Sequence, residues 1–134
     1  DKTLNAGFSL ASPEKLYIKQ DESDDRPDAE SQIADENSLY NEIRKLISIR
    51  RSHSALGNNS EIEFIYAEKN EYPLAFIRSS EDEKILVIIN PADREVSFPC
   101  EYKPKEAVYS FGREISYEDK KITVPPCSAG FYRV

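Results

Sequence analysis

Carboxylates are the reactive groups this sequence supplies most freely, and they gather in two places. Asp21, Glu22, Asp24, Asp25, Asp28 and Glu30 crowd one segment, while Glu81, Asp82 and Glu83 crowd another. Clustered carboxylates suit a hard cation such as calcium. The first run lacks the D-x-[DN]-x-[DN]-G spacing of a calcium loop and is read as a solvated acidic segment. The second would repel itself if buried, so it is read as a solvated turn. His53 is the single histidine, and the two cysteines, Cys100 and Cys127, lie far apart without a CxxC. One imidazole cannot assemble a zinc site with such cysteines, nor a Ser-His-Asp or Cys-His set. Its place at the end of a predicted helix makes it a partner for the helix dipole instead. Cys100 and Cys127 each adjoin a proline. A disulfide and two free, partly buried thiols are the alternatives; two cysteines make no framework, and free thiols are preferred. No Gly-rich phosphate loop occurs, and no metal or other cofactor is expected. Eight tyrosines could serve as sugar platforms, but most fall at strand positions where half-buried packing accounts for them, and there is no Trp.

The elements that must position these groups follow from pattern. Residues 36–53 read as an amphipathic helix. Leu39, Ile43, Leu46, Ile47 and Arg50 fall on one stripe, widened by Tyr40 and Ile49. Asp35 is the expected N-cap and Gly57 the stop. From residue 60 the period changes to two, predicting strands near 61–67, 74–79, 84–90, 94–98, 106–110, 113–117, 121–125 and 129–133. The third is apolar on both faces, which marks a central strand covered on both sides. Short strands joined by turn residues such as Asn90-Pro91-Ala92-Asp93 indicate an antiparallel sandwich. Residues 1–36 have no sustained period. They nevertheless carry Phe8, Leu10, Leu16, Tyr17 and Ile18, which implies packing against something absent from this chain.

Composition narrows the partners. A formal net charge of −7 and a pI near 4.8 repel nucleic acid and anionic membrane surfaces, so neither is expected. No apolar run is long enough to span a bilayer, and residues 1–5 lack a basic-then-apolar signal pattern. The chain contains no Met and opens at Asp1. A processed product or a piece of a longer protein is expected, and a piece is the simpler reading.

A series of segments in unbroken order carries a resemblance to the α-amylase family of glycoside hydrolases. D-x-x-x-N-A-G-F-S at 1–9 resembles the segment that completes the M-Q-W-D motif of many members. E-K-L-Y-I at 14–18, Gln32 and D-E-N-S-L-Y-N-E-I-R-K-L-I-S-I-R-R at 35–51 resemble its sequel, a loop and then the last helix of a (β/α)8 barrel. A-F-I-R at 75–78, I-L-V-I-I-N-P at 85–91 and V-P-P-C-S-A-G-F-Y-R-V at 124–134 resemble the β-sandwich after the barrel, domain C. The N-A-G-F-S string is most similar to the α-glucosidase, oligo-glucosidase and trehalose-converting subgroup. Glu36 stands where the family usually has Pro and Tyr40 where it has Leu, and the acidic run at 21–30 is atypical.

The resemblance implies a mainly β fold: an antiparallel, Greek-key β-sandwich preceded by a loop-rich segment and one amphipathic α-helix. It implies a division into residues 1–56, barrel-derived loop and last helix, and 57–134, the C-terminal sandwich. Family members are retaining enzymes whose paired carboxylates lie about 5–5.5 Å apart. Those carboxylates sit on barrel strands that precede this sequence, so no catalytic residue carries over. The implied role is a non-catalytic C-terminal part of a retaining α-glycosidase that acts on starch- or maltooligosaccharide-type substrates. Its expected partners are the (β/α)8 barrel of the same protein and, through it, α-glucan. A free-standing carbohydrate-binding sandwich is the alternative. Asp1, Asn5, Gly7 and Phe8 would lie near substrate at the barrel face where such active sites form. Phe8 would either stack on a sugar ring or pack under its loop. The parent protein is expected in the cytoplasm, with a secreted parent as the alternative.

Overall fold

The structure, a computed structural model, describes residues 2–21 and 23–134. The chain divides into two compact units, Asp1–Ile47 and Ser48–Val134.

The first unit is built from local capping more than from a core. A 3-10 turn at Leu4–Gly7 and another at Pro13–Lys15 precede helix α1, Ala29–Ala34. Six residues are too few to display a helical period, so α1 is invisible to pattern reading; it exists because Asp28 caps it. The Asp28 carboxylate accepts from the Ser31 amide at 3.0 Å and from the Ser31 hydroxyl at 2.5 Å. Helix α2, Leu39–Ser52, then runs across the unit boundary. Its cap is Ser38 rather than the expected Asp35. The Ser38 hydroxyl accepts from the Asn41 amide at 3.2 Å and donates to the Gln32 carbonyl at 2.5 Å. Asp35 instead closes α1: its carboxylate takes the Asn37 amide at 2.9 Å and its carbonyl takes the Asn41 side-chain amide at 2.8 Å. Asn41 thus fills the orphan carbonyls at the end of α1 while lying in the first turn of α2.

The second unit is an antiparallel β-sandwich. One sheet has the order β1-β2-β3-β8-β5 and the other β4-β7-β6. The strands are β1 Glu61–Tyr66, β2 Leu74–Ser79, β3 Lys84–Asn90, β4 Val96–Pro99, β5 Ala107–Phe111, β6 Ser116–Glu118, β7 Lys121–Val124 and β8 Ser128–Arg133. The first three form a meander, β4 passes to the second sheet, and β8 returns between β3 and β5 in Greek-key fashion. Alternation decides which side chains face inward. Ala75, Ile77, Leu86, Ile88, Phe98, Cys100, Ile122, Val124 and Tyr132 form the buried core cluster. Fully burying a large aliphatic side chain contributes about 1.5–3 kcal/mol. On the opposite face of β3, Ile85 and Val87 pack with Ala55, from the 3-10 turn Ser54–Leu56. The central strand is therefore covered on both sides, as its doubly apolar run predicts.

Backbone exceptions mark the turns. Asp119 and Lys120, between β6 and β7, both take positive φ, 48° and 59°. Both central residues at positive φ suits a tight hairpin, and the right-handed strand twist demands it. Gly130 in β8 serves a different purpose: a Cβ there would come within 2.5 Å of the Tyr132 ring. Its lack of a side chain lets Tyr132 lie flat along the strand and enter the core.

Candidate functional site

Asp1 lies outside the described residues, and the other three sequence candidates share one loop. Asn5 is buried at 6% exposure and holds a left-handed conformation, φ 54°. Its side-chain amide donates to the Ser9 carbonyl at 2.8 Å and to the Ala11 carbonyl at 2.7 Å. Both amide hydrogens are consumed in holding the loop. Gly7 has φ 78°, which its missing Cβ permits. Phe8 follows and is 90% exposed. The structure therefore brings these residues together in one hydrogen-bonded loop that exposes the Phe8 ring. Leu10, Tyr17 and Ile18 are exposed as well.

In the acidic run, where Glu22 lies outside the described residues, Asp21 and Asp28 work as local caps. Asp21 accepts from the Ser23 hydroxyl at 2.6 Å and the Ser23 amide at 2.9 Å, and these bonds hold its carboxyl below the usual range. Among the described residues no group of His, Cys, Asp and Glu is arranged to hold a metal ion.

The second acidic cluster corrects the sequence reading. Glu81 and Asp82 are exposed, but Glu83 is largely covered and engaged. Its carboxylate meets His53 Nδ1 at 2.6 Å and accepts from the Ala55 amide at 3.2 Å. Burial pushes the Glu83 carboxyl up, yet the bonds from His53 and Ala55 and the charges of His53 and Arg133 outweigh it, leaving the group below its ordinary value. His53 therefore ends α2 by pairing across the fold, not only by facing the helix dipole. The hairpin is fastened further by a 2.7 Å contact between the Ser54 and Ser80 hydroxyls.

Asn90 is the other polar group drawn inside. At 1% exposure it donates to the Arg94 carbonyl at 3.0 Å and the Pro125 carbonyl at 2.8 Å, and accepts from the Ala92 amide at 3.1 Å. It joins the β3–β4 turn to the β7–β8 turn. Cys100 is buried and Cys127 exposed, and both are free thiols. Burial raises the Cys100 thiol above its ordinary value.

Among the described residues further apolar surface is uncovered within each unit. No side chain of α2 is buried, and Leu39, Tyr40, Ile43 and Ile47 expose a continuous stripe. On the outer face of the five-stranded sheet Ile62, Phe64 and Phe111 are about half exposed or more, with Phe76 packed on Phe64 at a ring separation of 6.0 Å. Stripes of this kind mark interaction surfaces. Among the described residues no helix is long and apolar enough to cross a membrane.

Comparison with known proteins gives this architecture its place. The family model of the maltogenic amylase C-terminal domain matches residues 62–130. The maltogenic α-amylase of Bacillus acidopullulyticus is 33% identical over 69 residues, 51% of this chain and 12% of that protein. The oligo-1,6-glucosidase of Parageobacillus thermoglucosidasius is 24% identical over 139 aligned positions, covering 100% of this chain and 24% of that protein. The crystal structure of the trehalulose synthase MutB from Pseudomonas mesoacidophila MX-45 superposes with a TM-score of 0.79 at 25% identity, over 99% of this chain and 24% of that one. The chain thus spans no more than 24% of the length of these relatives. With the family match running from β1 into β8 and the eight strands in sandwich order, the chain belongs to the maltogenic amylase C-terminal domain family of the α-amylase-type glycosidases.

Proposed function

We propose that this chain is the non-catalytic C-terminal part of a retaining α-glycosidase acting on starch- or maltooligosaccharide-type α-glucosides, and that it stabilises a (β/α)8 catalytic barrel. The observation that carries this reading is α2: fourteen residues of amphipathic helix, none of them buried. An isolated amphipathic helix gains most of its stability from packing its apolar face, so this stripe calls for a partner. The last barrel position supplies one. On this reading residues 1–56 contribute a loop and the final helix to the barrel, and 57–134 form the sandwich behind it. The loop holding Asn5 and Gly7 would carry Phe8 towards substrate, with the catalytic carboxylates supplied by the barrel. The free thiols of Cys100 and Cys127 favour a reducing compartment and hence a cytoplasmic parent.

The test uses the parent enzyme. Ile43→Glu and Ile47→Glu should each lower its thermal midpoint and the yield of active enzyme, while KM for maltotriose stays constant in the fraction that folds. An unchanged midpoint in both variants would refute docking through this stripe.

A further inference from the structure

Helix α2 ends at Ser52 and β1 begins at Glu61, so residues 53–60 join them. A connection of this kind is ordinarily a mobile surface segment. This one is bonded at both ends. At its start the Glu83 carboxylate meets His53 Nδ1 at 2.6 Å and accepts from the Ala55 amide at 3.2 Å, while Ala55 packs with Ile85 and Val87. At its end Arg78 reaches out from β2. Its Nη2 donates to the Gly57 carbonyl at 2.5 Å and to the Ser60 carbonyl at 3.4 Å. The Ser60 hydroxyl donates to the Ser54 carbonyl at 2.7 Å, so the two ends are bonded to each other as well. Arg50, in the last turn of α2, donates to the Asn58 side chain at 2.5 Å and ties the helix itself into the set.

Arg78 is the costly member. Its Nε is buried and has no hydrogen-bond partner among the described residues. A buried donor left unpaired is unfavourable, and a freely moving side chain would turn it to water. The guanidinium keeps its place because two carbonyls of the connection hold Nη2 in charge-assisted bonds. The boundary between the two compact units falls inside α2, so its last turn, from Ser48, groups with the sandwich. The bonds from Arg50, His53 and Arg78 are the physical reason.

We infer that residues 53–60 are a two-point latch, which holds the last turn of α2 on the sandwich, opens without unfolding the sheets, and yields to acid at its Glu83 point. The groups facing Glu83 decide the acid response. His53 and Arg133 meet the same carboxylate oxygen, at 2.6 and 3.8 Å; Arg133 also pairs with Glu106 at 3.4 Å, and Asp82 and Lys84 flank Glu83 on the hairpin. Protonation removes the anion that His53 and Arg133 share. The folded chain holds this carboxyl below 4.5, so the latch is closed above that pH and loosens as pH falls through the lower folded-state value. Arg78 bonds to backbone carbonyls, which do not titrate, so its point stays made. That the latch serves a barrel helix rests on the function proposed above; the latch itself is a property of this chain.

Amide hydrogen exchange of the 134-residue chain, read as protection factors, tests it. Arg51, Ser52, Ala55, Leu56 and Gly57 should share one protection factor, lower than that of the β3 amides. Arg78→Met and Glu83→Gln should each lower it about tenfold or more, the loss expected for a hydrogen bond to a charged group. Asn90→Ala weakens the sandwich elsewhere and should leave it unchanged. In the unaltered chain it should fall between about pH 6 and about pH 3.5, and Glu83→Gln should abolish that fall. Unchanged protection in both latch variants overturns the latch. An equal response to Asn90→Ala overturns it too, because these residues would then open only with the whole sandwich. Protection independent of pH overturns the acid response, and that arm needs no variant to fold. Docking on the barrel is measured at Ile43 and Ile47 in the parent enzyme, so either reading can fail without the other.

Discussion

The imidazole of His53 and the carboxylate of Glu83 meet at 2.6 Å although thirty positions of sequence separate them. The pair fastens the end of α2 to the β2–β3 hairpin within the sandwich unit, and both side chains are mostly covered. Its consequence is a pH dependence of known sign. The folded state holds Glu83 below the ordinary carboxylate value of 4.5. The stabilisation is therefore complete above the unfolded-state value and is lost as pH falls through the lower folded-state value. Thermal midpoints should drop below pH 4.5, and Glu83→Gln should remove that part of the acid sensitivity. At neutral pH the same substitution should cost about 1.5–3 kcal/mol, the range for a hydrogen bond to a charged group. A midpoint-versus-pH series on both proteins checks it.

Asn90 offers a sharper stability test. Asn90→Ala abolishes its bonds to Arg94, Pro125 and Ala92 and leaves buried backbone groups unsatisfied. The expected loss is about 3 kcal/mol, read as a lower urea midpoint with an unchanged slope.

Gly130→Ala places a methyl within 2.5 Å of the Tyr132 ring. Overpacking of this kind costs about 1–3 kcal/mol. Combined with Tyr132→Leu, the loss should be smaller than the sum of the two single losses. A double-mutant cycle measures that coupling, and strict additivity would contradict the packing described here.

The α2 stripe should be silent in the chain alone. Ile43→Glu alters a residue 47% exposed, so the stability of the 134-residue chain should change by no more than about 0.5 kcal/mol. Denaturant titration of this variant, set beside the same substitution in the parent enzyme, separates a docking surface from a mere solvent face.

The thiols should differ in reactivity. Cys127 is exposed, whereas Cys100 is buried and its thiol is held protonated by burial. An aromatic disulfide reagent should titrate Cys127 promptly in the native chain and reach Cys100 only on unfolding.

Much of the sandwich was legible in the order of residues alone. Strand positions follow from alternation and from turn residues, both local properties, so 74–79 and 84–90 coincide with β2 and β3 to the residue. The central place of β3 was readable for the same reason, since a run apolar on both faces needs cover on both. The resemblance directed attention to Asn5, Gly7 and Phe8, and their approach to substrate belongs to the proposal above. Only the folded loop shows the Asn5 amide turned inward and Phe8 turned out.

Tertiary structure alone decided the rest, and the reason is sequence distance. Asp35 and Ser38 are both good caps, and the choice between them depended on the end of α1, whose Gln32 carbonyl claims the Ser38 hydroxyl. Glu83 looked solvated beside Glu81 and Asp82 because its partners, His53 and the Ala55 amide, lie far upstream. The grip of Arg78 on the turn after α2 could not be read from sequence either. It forms because β1 and β2 pair, and only the assembled sheet brings the Gly57 and Ser60 carbonyls to a side chain eighteen or more positions away.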